Sequence, residues 1–168
     1  MNAMTDSERR AQAQRLVETY SDMILRLSYT YLHNTQDAED ICQETLIKLL
    51  YQSRRFSSPE HEKAWVIRTA ANACKDILKR PDRSRTCALE ACADQAAPAS
   101  EDGDVLDAVQ SLPQEYREVI YLHYYEGYTL KEIGALLSIP PATAGTRLAR
   151  GRERLKTILG EDIHENCV

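Results

Sequence analysis

Apolar residues recur with a helical period along most of the chain. Leu16, Tyr20, Ile24, Leu27 and Tyr31 fall three or four apart and stop before the polar pair His33-Asn34, which predicts a first packed helix behind a polar segment, Met1 to Ala13, that frays at its start. Asn34 or Thr35 can cap a second helix, where Asp37, Glu39 and Asp40 in the first turn complement the positive end of the helix dipole. Its expected buried face is Ala38, Ile41, Cys42, Thr45, Leu46 and Leu49. The opposite edge, Asp37, Asp40, Gln43, Glu44 and Lys48, is mostly acidic, and a solvated face and a docking surface for a basic partner both fit it. Taken by themselves, the residues favour the solvated face.

After the loop from Ser53 to Ser57, Ser58-Pro59-Glu60 predicts a third helix with Ser58 as cap and proline at the first helical position, running to Arg80 and stopped by Pro81. Ala64, Ile67, Ala71, Cys74 and Leu78 form its apolar set. Trp65, Arg68, Asn72, Lys75 and Lys79 form a second stripe at three-and-four spacing. An aromatic ring, an amide and three cations on one face can stack on bases, bond a base edge and follow a phosphate backbone, as single-stranded nucleic acid requires. For Trp65 a place in the core weighs at least as heavily, because an indole near a helix start is usually mostly buried.

From Asp82 to Asp104 periodicity gives way to Ala, Asp, Ser, Pro and Gly, the composition of a linker. Helical spacing returns from about Asp104 through Val105, Leu106, Val109 and Leu112. It continues after Pro113 through Tyr116, Val119, Ile120, Leu122 and His123 to a turn at Glu126-Gly127. Thr129 and Glu132 then have the spacing of a capping box, and Leu130, Ile133, Leu136 and Leu137 carry a short helix to about Leu137. Pro140 disfavours helical geometry at Ile139, whereas Pro141 suits the first position of a new helix. On this last helix Ala144, Leu148, Gly151, Leu155 and Ile158 share one face, and Thr143, Arg147, Arg150 and Arg154 another. A capped helix, a proline-marked turn and a basic second helix at this spacing read as a helix-turn-helix, with the second helix suited to a major groove. Arginine can pair there with guanine edges and also neutralise phosphates.

Composition qualifies this reading. The 168-residue chain suffices for one ordinary domain or two small ones, and its formal net charge of −5 argues against nucleic-acid binding if taken as a whole. The charge is segregated, however. Arg147, Arg150, Arg152, Arg154 and Lys156 lie together, while Glu101, Asp102, Asp104 and Asp107 cluster elsewhere, and local field governs attraction to DNA. The five cysteines, Cys42, Cys74, Cys87, Cys92 and Cys167, have neither CxxC nor paired zinc spacing, and no signal peptide precedes them, so they read as reduced thiols of a cytoplasmic protein with no metal or cofactor. No apolar run reaches membrane-spanning length. Glycine and proline are sparse and no alternating pattern persists, so the expected class is all-α.

Four motifs in order, DAEDICQETLIKLL, AWVIRTAANACKDILKR, SLPQEYREVIYLHYYEGYTLKEIGALLSIP and TRLARGRERLK, resemble those of bacterial RNA polymerase sigma factors of the extracytoplasmic-function group, over nearly the whole chain. The resemblance implies two small helical domains: sigma domain two at 14–81, a flexible linker at 82–103, and sigma domain four with its helix-turn-helix at 104–160. It implies a non-enzymatic partner of core RNA polymerase and promoter DNA, subject to an anti-sigma factor. Asp37, Asp40, Gln43 and Glu44 match the part that grips the polymerase clamp helices, which reverses the solvated-face reading. Trp65, Arg68, Asn72, Lys75 and Lys79 match the part that meets the −10 element, with Asn72 near a flipped-out base. Thr143, Thr146, Arg147 and Arg150, with Arg154 further along, match the helix that meets the −35 element. Gly145, where many relatives have Lys or Arg, and Ala144, where Val is usual, depart from the pattern.

A linker of twenty-odd residues has a coil dimension of roughly 25 to 30 Å and reaches about 70 Å extended, about the span of two turns of DNA. It must therefore be drawn out or wrapped on polymerase when both domains engage a promoter. The competing reading is a helix-turn-helix regulator that binds DNA unaided, its N-terminal helices serving dimerisation or sensing; the Trp65 to Lys79 stripe speaks against it. A carboxylate metal enzyme would need two ExxH pairs, and only Glu161 with His164 fits.

Overall fold

The structure is a computed structural model that describes residues 4–81 and 101–160, and every regular element among them is helical. The core of the expected linker at 82–100, with Cys87 and Cys92, and the tail at 161–168, with Glu161, His164 and Cys167, lie outside the described residues. The chain divides into two compact units, Met1–Leu78 and Lys79–Val168. No helix among the described residues is long and apolar enough to cross a membrane.

The first unit contains α1 (Asp6–Leu32), α2 (Thr35–Leu50) and α3 (Pro59–Leu78), which pack on one another pairwise. Helix α1 starts well before the first core residue, Leu16. Thr5 and Glu8 form a reciprocal capping box, Thr5 N donating to Glu8 Oε2 at 2.8 Å and Glu8 N to Thr5 Oγ1 at 3.3 Å, so the polar segment ahead of the apolar repeat is helical from Asp6. The helix ends on His33, whose left-handed φ of 52° turns the chain. Asn34 caps α2 by accepting from Asp37 N at 3.0 Å, and Ser58 caps α3 by accepting from His61 N at 3.1 Å.

The core of this unit joins Leu16, Tyr20, Ile24, Leu27 and Tyr31 to Ile41, Leu49, Val66, Ile67, Ala70, Ala71 and Cys74, each large apolar side chain contributing about 1.5–3 kcal/mol when buried. The buried stripe of α3 is wider than periodicity indicates. Val66 and Ala70 join it while Ala64, Leu78 and, on α2, Leu46 are only partly covered, because α3 touches both α1 and α2. At the rim Arg15 grips Glu62 with two nitrogens at 3.2 and 3.3 Å, and Tyr20 OH donates to the same carboxylate at 2.7 Å, tying α1 to α3.

The second unit contains α4 (Glu101–Ser111), α5 (Gln114–Ile120), a π-helical segment (Tyr121–Tyr125), α6 (Leu130–Leu137) and α7 (Pro141–Leu159). Helix α4 begins at Glu101, about a turn before Asp104. All three other helices of the unit pack against α7. The widened turn after α5 differs from the plain helix that spacing predicts. Glu126 N donates to Tyr121 O at 3.3 Å, Tyr121 and Tyr125 stack at 5.5 Å, and Tyr121 OH donates to Glu126 Oε1 at 2.9 Å. Tyr128 O lies 2.9 Å from His123 Nδ1, closing the turn toward α6.

Candidate nucleic-acid and polymerase interfaces

The geometry of the helix-turn-helix is set by short-range chemistry. Thr129 and Glu132 form the expected capping box: Thr129 N donates to Glu132 Oε2 at 2.8 Å, and Glu132 N to Thr129 Oγ1 at 3.3 Å. The Thr129 N–H and the Thr129 hydroxyl, both donating to Glu132 Oε2, hold the Glu132 carboxyl below its ordinary pKa. At the other end Ser138 takes a left-handed φ of 56°, and Ile139 N donates to Gly134 O at 2.9 Å. The turn crosses so closely over Gly134 that a Cβ there would lie 2.8 Å from Ile139 O, which fixes the separation of α6 and α7 and demands glycine. A second close approach seats α7 on α5: a Cβ at Gly151 would meet Ile120 Cδ1 at 2.7 Å and Tyr116 Cβ at 3.3 Å.

With Ala144, Leu148 and Gly151 buried, α7 turns Thr146, Arg150 and Arg154 outward, with Thr143 and Arg147 partly covered. Ile158, expected on the packing face, is instead 52% exposed, at the rim of a recess that it lines with Asp107, Ala108 and Ser111 of α4. The arginines differ in their surroundings. Arg150 is exposed. Arg154 lies over the Tyr116 ring at 5.2 Å. Arg147 faces α5, with Nη1 3.5 Å from Glu118 Oε1 and Nη2 3.9 Å from Glu115 Oε2. A shallow recess beside it is lined by Glu115, Tyr116, Thr143, Thr146, Arg147 and Arg150.

Helix α3 ends at Leu78, before the expected Arg80, so Trp65, Arg68, Asn72 and Lys75 share one side of it while Lys79 lies in the turn just past its end. Arg68, Asn72 and Lys79 are exposed, and Lys75 stands over the Tyr31 ring at 6.0 Å. Trp65 belongs neither to the core nor to open surface. It is half-covered, 5.8 Å from the Phe56 ring, which in turn meets His61 edge-on at 5.4 Å. Ser57 Oγ sits 3.1 Å from His61 Nδ1, so the loop before α3 is folded back onto its first turn. Along α2, Asp40, Gln43 and Glu44 point to solvent, Asp37 is partly covered, and Lys48 pairs with Glu44.

Two groups had no distinct sequence signal. Phe56 and His61 flank Trp65 but carry no motif of their own. Glu118 lies in the run Tyr116 to Ile120, buried all round, where it and Arg117 interrupt an apolar pattern without announcing their partners.

Residues 16–84 match the family described as Sigma-70 region 2, and residues 102–155 the one described as Sigma-70, region 4. The chain is 32% identical over 164 residues to the ECF RNA polymerase sigma factor SigE of Mycolicibacterium smegmatis, a match covering 90% of this chain and 63% of that one, so it spans less than two thirds of that relative. It is 32% identical over 159 residues to the ECF RNA polymerase sigma factor SigW of Bacillus subtilis, covering 84% of this chain and 85% of the other. Its fold is similar to that of the sigma factor RpoE of Bartonella quintana, solved in complex with the anti-sigma factor NepR, with a TM-score of 0.71 over 90% of this chain and 98% of that one at 20% identity.

Proposed function

This chain belongs to the sigma-70 family, in its extracytoplasmic-function group, and we propose that its two units divide promoter recognition between them. It is an RNA polymerase sigma factor that directs promoter-specific transcription. Residues 14–81 act as sigma domain two, 104–160 as sigma domain four, and 82–103 as the linker that lets both reach one promoter. Sigma factors are non-catalytic initiation factors, so the chain is not itself an enzyme; it works in the cytoplasm, where polymerase and promoter meet.

The roles follow the exposed chemistry. The α2 edge, Asp37, Asp40, Gln43 and Glu44, docks on the polymerase clamp helices. The α3 stripe takes the −10 element, Trp65 stacking, Asn72 bonding an extruded base and Arg68, Lys75 and Lys79 holding backbone. On α7, Thr143, Thr146, Arg147 and Arg150 meet base edges of the −35 element, and Arg154 a phosphate. An anti-sigma factor, of the kind bound to the structurally similar sigma factor, holds the protein in check.

The observation that carries this reading is the pairing, in one chain, of a tightly seated basic recognition helix with a separate exposed stripe of cations and an amide on α3, since a regulator that only binds duplex DNA needs just the first. The test is reconstitution with core polymerase and selection on a promoter library. Transcripts that depend on the protein and start downstream of one enriched pair of elements support the reading, and protein-independent transcripts refute it.

A further inference from the structure

Resting on the reading of α7 as the −35 helix, we propose that Glu118 is a specificity-determining positioning residue that acts on DNA through Arg147. Glu118 belongs to α5, outside the recognition helix, and is only 2% exposed. Its carboxylate lies 3.5 Å from Nη1 of Arg147, and Glu115, one turn earlier on α5, lies 3.9 Å from Nη2. Both ends of the guanidinium therefore lie within ion-pair range of carboxylates from one helix, and the buried one draws the group toward α5. The Arg147 side chain is 26% exposed, so about a quarter of it remains open, toward the recess shared with Thr143, Thr146 and Arg150.

This arrangement changes what the arginine can report. An arginine free to swing exchanges a guanine edge for a neighbouring phosphate and so adds affinity with little sequence information. One held to one side by a buried carboxylate favours a base pair that brings acceptors to its open side. Because Glu118 is buried, its charge cannot be given over to water without cost, and the pair persists as the helix meets DNA. Glu118 thus shapes base preference without touching a base.

The experiment is competition binding of reconstituted holoenzyme to a library varied in the −35 element, comparing wild type, Glu118→Gln, Arg147→Ala and the double variant. Glutamine keeps the size and an acceptor and removes the charge. The expected result is a roughly tenfold loss of preference confined to one base pair, the same pair affected by Arg147→Ala, with no further loss in the double variant. A profile unchanged by Glu118→Gln, a uniform loss across the library, or an equal effect in the Arg147→Ala background overturns the inference. Should Glu118→Gln fail to fold, Glu118→Asp takes its place: a partial loss at that same pair supports the proposal and an unchanged profile overturns it. Wild-type holoenzyme with no −35 preference sinks the underlying reading instead.

Discussion

Two glycines on α7 should respond in opposite senses to the same substitution. Gly145 is the fifth residue of a 19-residue helix, and a Cβ added there would meet only Leu130 Cδ1, at the ordinary contact distance of 3.4 Å. Alanine then recovers about 1 kcal/mol of helix propensity at no steric cost. Gly151 is the reverse case. An added methyl falls 2.7 Å from Ile120 Cδ1 and 3.3 Å from Tyr116 Cβ, and Ile120 is itself buried, so its side chain has to shift within a packed core. Overpacking of this kind costs about 1–3 kcal/mol; set against the propensity gain, Gly151→Ala should be destabilising by about 1 kcal/mol. Hydrogen exchange of the α7 amides in the full-length protein reads both. Gly145→Ala should slow exchange roughly fivefold and Gly151→Ala should speed it by a similar factor. Equal shifts for the two, or faster exchange in Gly145→Ala, would show that close seating of α7 on α5 does not govern the unit's stability.

Three further outcomes are expected. Reversing Asp40 and Glu44 to Lys should abolish association with core polymerase while leaving the helical circular dichroism unchanged, since both side chains face solvent; undiminished capture at moderate salt would remove the docking role. Asn72→Ala in holoenzyme should leave closed-complex formation nearly intact but slow strand separation, as followed by permanganate reactivity of unpaired thymines, and a pre-melted −10 bubble should restore transcription by removing the unpairing cost; a defect that the bubble does not relieve would assign Asn72 to structure. Burial pushes the Glu62 carboxyl up, but hydrogen bonds from Arg15 and Tyr20 and the Arg15 charge outweigh it and leave the group below its ordinary value of 4.5. The stability it contributes is therefore full above that value and is lost as pH falls through the lower folded value. Acid titration of unfolding should show this loss in wild type and a weaker one in Glu62→Gln.

Local chemistry was enough to read most element boundaries from the sequence. Asn34, Ser58-Pro59, the Thr129 and Glu132 box and the Pro140-Pro141 break act within one turn of where they stand, because capping and dipole effects fall off over that distance. The sequence by itself therefore determined an all-α chain, a helix-turn-helix and two candidate nucleic-acid faces. One such signal, the box at Thr5 and Glu8, was present but lay ahead of the apolar repeat, so the start of α1 was read too late. What only the tertiary structure decided depends on which helix comes alongside. Val66 and Ala70 are buried because α3 has two neighbours, Ile158 stays exposed at the rim of a recess beside α4, and Trp65 is half-covered because the preceding loop folds Phe56 against it. The partners of Arg147 are the clearest case: Glu115 and Glu118 are distant in sequence, and their approach follows from the tight packing of α7 at Gly151, a side-chain distance that no periodicity encodes.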